Sequence, residues 1–182
     1  MTFNVPNSIS LARLFLIPIF VWTSLTNQLI ASCLIIFIAS FTDWLDGYAA
    51  RKLNQFTRFG QLLDPISDRL YILALLFVIF YLDLANIFLI IFILFREIAL
   101  SVLMLYLKYR GLTGLPVHYL GKMGAFCLLI GLPGLIFAKA FPDQHYLWFT
   151  IGWSFLLWGM FLYIFSTYKY FEHARIVLSK YV

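Results

Sequence analysis

Apolar residues occur along this chain in six long runs that are separated by short polar segments. Each run is about 20 residues or slightly longer, the length that an α-helix needs to cross a hydrocarbon core about 30 Å thick. The runs cover residues 8–26, 29–52, 60–82, 86–108, 119–139 and 146–170. The pattern predicts an all-α integral membrane protein with six transmembrane helices. No linker or internal repeat divides residues 1–182, which we interpret as a single membrane domain.

Composition and charge support the membrane interpretation. The chain has 63% hydrophobic and only 12% charged residues, whereas soluble domains carry about 25% charged residues. Lys and Arg collect in the segments that one orientation places in the cytoplasm, and the opposite segments contain only Lys139. The positive-inside rule therefore predicts a multi-pass protein of the cell membrane with both termini cytoplasmic. This asymmetry explains the net charge of +5, so we expect membrane lipids and no nucleic acid as partners.

The stretch DWLDGYAARKLNQFTRFGQLLDPISD, which we call the acidic motif, concentrates acidic residues in a chain that has few. It spans residues 43–68 and contains four of the eight acidic residues, at the spacings Asp43-x2-Asp46 and Asp64-x3-Asp68. Helical residues three or four positions apart share a face, so each pair of aspartates is expected on one face of its helix. The segment KLNQFTRF connects the second and third runs, and antiparallel packing of these helices would bring the four carboxylates together.

The depth of the acidic motif follows from the lengths of the apolar runs. The apolar part of the second run, Leu29–Thr42, is about 21 Å long as a helix and falls short of a hydrocarbon core of about 30 Å. The third run becomes continuously apolar only near Leu70. If both helices cross the membrane, the acidic motif lies at the cytoplasmic surface, and we expect a polar cavity there.

Four converging carboxylates indicate a metal site. Carboxylates this close repel one another unless a cation lies among them, and an all-oxygen ligand set suits Mg²⁺ or Mn²⁺ better than zinc. Gly47, Ala50 and Gly60 leave room for a bulky ligand, and Arg51 supplies a fork for phosphate. Two other classes of protein remain open: a divalent-cation transporter, which Arg51 among the acids disfavours, and a structural scaffold held together by polar helix contacts.

The full pattern resembles the signature of the CDP-alcohol phosphatidyltransferases, with every position of that signature present in residues 43–68. The resemblance implies an enzyme of phospholipid biosynthesis that uses a divalent metal, with two ions expected, to cleave a CDP-linked lipid and release CMP. It implies that Asp43, Asp46 and Asp64 are metal ligands, and that Asp68 contacts the second metal and acts as the general base. Together with Asp46, the CDP-lipid would be bound by Gly47, Ala50, Arg51 and Gly60. The resemblance also implies a bacterial inner-membrane location and allows a homodimer.

The acceptor of the phosphatidyl group is indicated by two cues that disagree. RGLTGLPVHYLGKMGAF and LNQFTRFGQLLDP are similar to actinobacterial cardiolipin synthases, whose acceptor is phosphatidylglycerol. FREI is instead similar to phosphatidylglycerophosphate synthases, whose acceptor is glycerol 3-phosphate. We favour phosphatidylglycerol, keep glycerol 3-phosphate as the alternative, and interpret Arg96, Arg110 and Lys122 as residues that bind the acceptor.

Two further expectations concern the fourth and sixth runs. Neighbours at i and i+1 point apart on a helix, so Arg96 and Glu97 are each expected to find a different partner. The aromatic residues of the sixth run are interpreted as facing lipid and the membrane interface; they are Trp153, Trp158, Tyr163, Tyr168 and Tyr170.

Overall fold

The computed structural model of the protein has six α-helices in the part of the chain that it describes. It describes the backbone of residues 5–53, 58–110 and 119–179, and the side-chain surroundings of residues 14–42, 67, 69–107, 109–110 and 119–176. The helices are α1 (Val5–Leu25), α2 (Leu29–Leu53), α3 (Arg58–Tyr81), α4 (Ile87–Tyr109), α5 (Tyr119–Ala140) and α6 (His145–Ser179). A short 3₁₀ turn, Pro142–Gln144, connects α5 to α6. No strand occurs in the described backbone, so the all-α prediction is confirmed.

The turns that end α1 and α3 have the same construction. Asn27 and Asp83 adopt left-handed backbone conformations, with φ of 59° and 53°, a geometry that Asn and Asp tolerate better than most residues. After each of them, a backbone N–H reaches back five residues, from Gln28 to the Thr23 carbonyl at 2.9 Å and from Leu84 to the Ile79 carbonyl at 3.0 Å. These bonds satisfy carbonyls that the helix ends would leave unpaired. The polar segments at residues 25–28 (LTNQ) and 82–86 (LDLAN) are therefore tight helix-capping turns.

The described residues divide into two compact units, the first of which comprises α1, α2, α3 and Leu135–Trp148. Within this unit α1 packs against α2 and α3. Phe20 is fully buried and its ring lies 6.3 Å from that of Tyr71. Buried hydroxyls of Ser24, Ser32 and Thr23 form a chain of 3.0 Å hydrogen bonds between α1 and α2, which satisfies polar groups that lipid cannot.

The second unit comprises α4, α5 up to Gly134, and α6 from Phe149 onwards. Small residues let α5 and α6 approach closely, since a Cβ on Gly131 would lie 2.9 Å from the backbone N of Leu156 and 3.0 Å from the carbonyl oxygen of Gly152. Close approach at glycines is typical of membrane helices. Beyond this contact, Leu100 and Leu107 of α4 form a buried cluster with Tyr170 and Ala174 of α6. The prediction of a single domain over residues 1–182 stays a prediction.

Three segments of the described chain are long and apolar enough to cross a membrane, namely Ile87–Leu107, Tyr119–Ala140 and Pro142–Ile176. The other three helices have shorter apolar segments among the described residues: Leu14–Leu25, Leu29–Thr42 and Arg69–Tyr81. Large apolar side chains are widely exposed, including Phe88 (76%) and Phe95 (71%) of α4, as expected for helices whose solvent is lipid. The protein is therefore an all-helical membrane protein.

Candidate functional site

The acidic motif lies on α2 and α3. Both helices continue through it, α2 to Leu53 and α3 from Arg58, so the spacing of each aspartate pair applies to a helical backbone and places each pair on one helix face. The structure does not describe the side chains of the eight predicted site residues of the motif, which are Asp43, Asp46, Gly47, Ala50, Arg51, Gly60, Asp64 and Asp68. Their roles as metal ligands, general base and CDP-lipid contacts therefore stay predictions.

Two described side chains lie close in sequence to the predicted metal ligands, a threonine bound within its own helix and a buried serine. On α2 the Thr42 hydroxyl bonds the carbonyls of Ile38 and Ala39, both at 2.9 Å. On α3 Ser67 is fully buried, and its hydroxyl has no hydrogen-bond partner among the described residues. Within the part of the chain whose side chains are described, no three His, Cys, Asp or Glu residues are grouped to hold a metal, and the four aspartates are not among these residues.

Arg96 and Glu97 of α4 bind each other. Arg96 Nη1 lies 2.6 Å from Glu97 Oε1, and the side chains are only 11% and 23% exposed. The expectation that each would need a different partner was wrong, because the long Arg side chain can turn back to the following residue although the two Cβ atoms diverge. A largely buried ion pair is stable only when its remaining polar atoms also have hydrogen-bond partners.

The surroundings of Arg96 are supplied by α5 and α6. The Arg96 guanidinium carbon lies 3.7 Å from the centre of the Tyr163 ring, a cation–π contact. A Cβ on Gly121 would lie 3.5 Å from Arg96 Nη2, 2.8 Å from Ser166 Oγ and 3.5 Å from the Tyr170 ring. We call these six residues the Arg96 cluster: Arg96, Glu97, Gly121, Tyr163, Ser166 and Tyr170.

Three polar atoms of the Arg96 cluster are buried without a hydrogen-bond partner among the described residues, and two of them belong to side chains that border Gly121. These two are Arg96 Nε and Ser166 Oγ, to which the Tyr163 hydroxyl adds a third, and Ser166 is fully buried. Buried donors are almost always paired in native proteins, so an unpaired one calls for a bound group to explain it. The cluster can therefore receive an additional group that accepts hydrogen bonds.

The other two predicted acceptor residues lie at different positions. Lys122 follows Gly121 directly on α5 and is exposed. Arg110 is also exposed, immediately after α4, with its guanidinium carbon 5.5 Å from the Tyr106 ring. Fourteen residues of helical rise, about 21 Å, separate Arg110 from Arg96. The structure therefore brings Arg96 to the start of α5, where Lys122 is located, and leaves Arg110 near the far end of α4.

The sequence interpretation missed four residues of the Arg96 cluster, namely Gly121, Tyr163, Ser166 and Tyr170. Tyr163 and Tyr170 are buried, at 0% and 6% exposure, so the expectation that they face lipid was wrong, whereas Trp158 and Tyr168 are exposed as expected. Tyr163, Ser166 and Tyr170 follow one another at i, i+3 and i+7, which is one helix face. A polar residue on that face was the available signal, but the density of aromatic residues around it concealed the pattern.

Comparison with known proteins identifies the family. Residues 3–165 match the model of the CDP-alcohol phosphatidyltransferases. A protein of Mycobacterium tuberculosis provisionally named cardiolipin synthase is 35% identical over 97% of this chain and 85% of its own. Cardiolipin synthase (CMP-forming) of Streptomyces coelicolor is 32% identical, with coverages of 94% and 83%. CDP-diacylglycerol–glycerol-3-phosphate 3-phosphatidyltransferase of Bacillus subtilis is 38% identical, with coverages of 74% and 77%. The chain belongs to the CDP-alcohol phosphatidyltransferase family.

Proposed function

We propose that this protein transfers the phosphatidyl group of CDP-diacylglycerol to a glycerol-type acceptor and releases CMP, with phosphatidylglycerol as the preferred acceptor. The product would then be cardiolipin. The observation that carries the proposal is the complete family signature on two consecutive helices, α2 and α3. A relative named cardiolipin synthase and one named CDP-diacylglycerol–glycerol-3-phosphate 3-phosphatidyltransferase each align with 94% of this chain, so the preference for phosphatidylglycerol rests on the segments RGLTGLPVHYLGKMGAF and LNQFTRFGQLLDP.

The acidic motif fits a divalent-metal centre by the chemistry of its donors. Asp43, Asp46, Asp64 and Asp68 form an all-oxygen donor set on helical backbone, which suits Mg²⁺ or Mn²⁺ and leaves room for water and phosphate oxygens. Bound ions, two in our proposal, would neutralise the charge of the diphosphate. Glycine and alanine positions 47, 50 and 60 would admit the cytidine and ribose.

The protein's own residues would then orient the reacting groups. Arg51 would hold the diphosphate through its planar fork, and Asp68 would accept the proton of the attacking acceptor hydroxyl. The hydroxyl oxygen forms a bond to the lipid-side phosphorus while the bond from that phosphorus to the CMP oxygen breaks. An in-line displacement of this kind depends on positioning and charge stabilisation, which a cavity between two helices can supply.

The experiment is an acceptor assay on purified protein in lipid nanodiscs with CDP-diacylglycerol and Mg²⁺. Phosphatidylglycerol and glycerol 3-phosphate are supplied separately, CMP is quantified, and the product lipid is identified by mass spectrometry. Cardiolipin from the first acceptor is expected. Phosphatidylglycerophosphate from the second would instead establish the alternative acceptor, which the similarity to the Bacillus subtilis enzyme favours. Absence of CMP with both acceptors, together with divalent-cation uptake into vesicles, would support the transporter alternative.

We also propose that the six helices cross a bacterial inner membrane six times, with both termini in the cytoplasm and the motif cavity on that side. The charge asymmetry of the sequence supports this orientation. Both native cysteines, Cys33 and Cys127, are free and buried, so a cysteine introduced at exposed Gln144 can be labelled against a low background. Labelling by an impermeant thiol reagent from the periplasmic side is expected. Cross-linking of the intact protein would test the homodimer that the family resemblance allows.

A further inference from the structure

Ser166 is a polar residue with no visible role in holding α6 together. It is fully buried, and its hydroxyl has no hydrogen-bond partner among the described residues. The next hydroxyl along the helix behaves differently, since Thr167 donates to the Tyr163 carbonyl at 2.7 Å. Serine hydroxyls in membrane helices usually form such a bond within their own helix. An unpaired, buried hydroxyl therefore points to a partner that arrives from elsewhere.

The guanidinium of Arg96 makes a hydrogen bond and a cation–π contact. Nη1 donates to Glu97 at 2.6 Å, and the guanidinium carbon lies over the Tyr163 ring, 3.7 Å from its centre. Its Nε is buried and has no hydrogen-bond partner among the described residues. Nε and Nη2 share the edge of the guanidinium that binds two oxygens of a carboxylate or phosphate side by side. Glu97 and Tyr163 thus hold Arg96 in place without using that edge.

Gly121 brings the unused edge of Arg96 next to Ser166. A Cβ at this position would lie 2.8 Å from Ser166 Oγ and 3.5 Å from Arg96 Nη2, so both donors border the same point on α5. A side chain there would displace the serine hydroxyl. The absence of a Cβ allows two donors from different helices to be adjacent.

We propose that the Nε–Nη2 edge of Arg96 and the Ser166 hydroxyl form an oxyanion subsite that binds the phosphate group of the acceptor. This inference rests on the proposed function. The arginine edge can only donate hydrogen bonds and the serine hydroxyl can also donate, so the complementary group offers several acceptor oxygens in one plane. A phosphate does so, and both proposed acceptors carry one, as a diester in phosphatidylglycerol and as a monoester in glycerol 3-phosphate.

The positions of Ser166 and Gly121 along their own helices agree with a phosphate near the membrane surface. Ser166 follows His145, the first residue of α6, by 21 residues, which is about 31 Å of helix and matches the thickness of the hydrocarbon core. Gly121 is the third residue of α5. In the orientation proposed above, Ser166 and Gly121 lie near the cytoplasmic edge of the core, and the long Arg96 side chain reaches them from within the span Ile87–Leu107.

Kinetics of matched hydroxyl variants test the subsite. Ser166→Ala removes the unpaired hydroxyl, and Thr167→Val removes the neighbouring hydroxyl that is already satisfied within α6. We expect Ser166→Ala to raise the KM for the acceptor about tenfold, the effect of one hydrogen bond to a charged group, with the KM for CDP-diacylglycerol unchanged. Thr167→Val should leave both constants within about twofold of the wild type. Gly121→Ala should resemble Ser166→Ala because its Cβ displaces the same hydroxyl.

A stability measurement separates binding from a structural role. Removing a buried hydroxyl that has no partner should leave the melting temperature of the ligand-free protein equal or higher, whereas the stabilisation by added glycerol 3-phosphate or by phosphatidylglycerol nanodiscs should be lost. If Ser166→Ala instead melts lower without ligand and keeps the wild-type acceptor KM, the hydroxyl serves the fold or a buried water, and the subsite is overturned.

The two sources of phosphate are distinguished by running these assays with phosphatidylglycerol or glycerol 3-phosphate as the sole acceptor. The source is the one that supports CMP formation and whose KM rises in Ser166→Ala. A wild-type protein that forms no CMP with either acceptor contradicts the proposed function itself. A wild type that forms CMP, with Ser166→Ala and Gly121→Ala both retaining the wild-type acceptor KM, contradicts the subsite alone.

Discussion

The acidic motif lies on two helices that follow each other in the chain, α2 and α3, whereas the Arg96 cluster is formed by α4, α5 and α6 together. The motif concentrates four like charges within 26 residues of sequence, and the metal site proposed for it is argued from helical spacing and the repulsion of like charges. The cluster contains one ion pair and several neutral groups, contributed by residues that are far apart in sequence. Only the three-dimensional arrangement shows that three of its donors, Arg96 Nε, Tyr163 Oη and Ser166 Oγ, have no hydrogen-bond partner among the described residues.

This difference implies two kinds of dependence on ligands. In our proposal the four carboxylates of the acidic motif repel one another until a metal binds, so catalysis is expected to require the metal. The Arg96 cluster is already neutralised by its own glutamate, so its residues should affect binding of the acceptor and leave the requirement for metal unchanged. The largest effects are therefore expected when the metal or a motif carboxylate is removed, and smaller ones when the cluster or its supporting contacts are changed.

Removal of the metal is expected to have the largest effect. Treatment with a chelator should abolish CMP release completely, and Mg²⁺ or Mn²⁺ should restore it, because the diphosphate charge is otherwise uncompensated. Asp43→Asn should raise the Mg²⁺ concentration needed for half-maximal activity, whereas Arg96→Lys should leave that concentration unchanged and raise the acceptor KM. Full turnover in the chelated enzyme, or a shifted metal requirement in Arg96→Lys, would remove the distinction between the two regions.

Loss of the proposed general base should have the next largest effect. Asp68→Asn is expected to lower kcat by roughly a hundredfold or more, since proton removal by a positioned base contributes at least that much, while the melting temperature stays near that of the wild type. Asp83→Asn is the matched control, because Asp83 is exposed in a turn with φ of 53°, a conformation that Asn also adopts. Turnover of Asp68→Asn equal to that of Asp83→Asn would refute the assignment of the base.

The helices were largely predictable from hydrophobicity because apolar length is a local property. The second run was predicted at 29–52, and α2 is Leu29–Leu53. The sixth run was predicted to end at residue 170, but α6 continues to Ser179. Hydrophobicity ends where charged residues begin, whereas the helix is continued by contacts such as Lys169–Glu172, at 2.9 Å, and the packing of Ala174 against Leu107.

The acidic motif could be predicted from the sequence better than the Arg96 cluster, because helical spacing is local whereas packing between helices is not. The acidic motif lies on two consecutive helices, so its spacing alone predicted a shared ligand. The Arg96 cluster depends on how α5 and α6 pack, and no local period shows that Gly121 faces Ser166. The pairing of Arg96 with Glu97 was also missed, since a rule based on Cβ directions ignores the reach of a long side chain.

A change in helix packing beneath the Arg96 cluster should have an intermediate effect. A Cβ on Gly124 would overlap the Tyr163 ring that supports Arg96, so Gly124→Ala should lower the free energy of unfolding by about 1–3 kcal/mol through overpacking and also raise the acceptor KM. Gly159→Ala is the control on the same interface, where a Cβ would meet Cys127 Cβ at 3.0 Å and the Gly124 carbonyl at 3.3 Å. It should lower the melting temperature less and leave the acceptor KM unchanged. Equal kinetic effects of the two variants would show that Tyr163 does not position Arg96.

The smallest effect is expected at the exposed ion pair of α6, which resembles the Arg96–Glu97 pair in type but not in surroundings. Lys169 and Glu172 are 38% and 45% exposed, and exposed pairs contribute little because water screens both charges. Lys169→Gln should therefore leave the melting temperature and both KM values unchanged. Glu97→Gln leaves the largely buried Arg96 charge uncompensated, so it should lower the melting temperature and alter acceptor binding. Comparable melting shifts in the two variants would mean that Arg96 is as well hydrated as Lys169, and the case for an enclosed subsite beside Ser166 would lose its electrostatic basis.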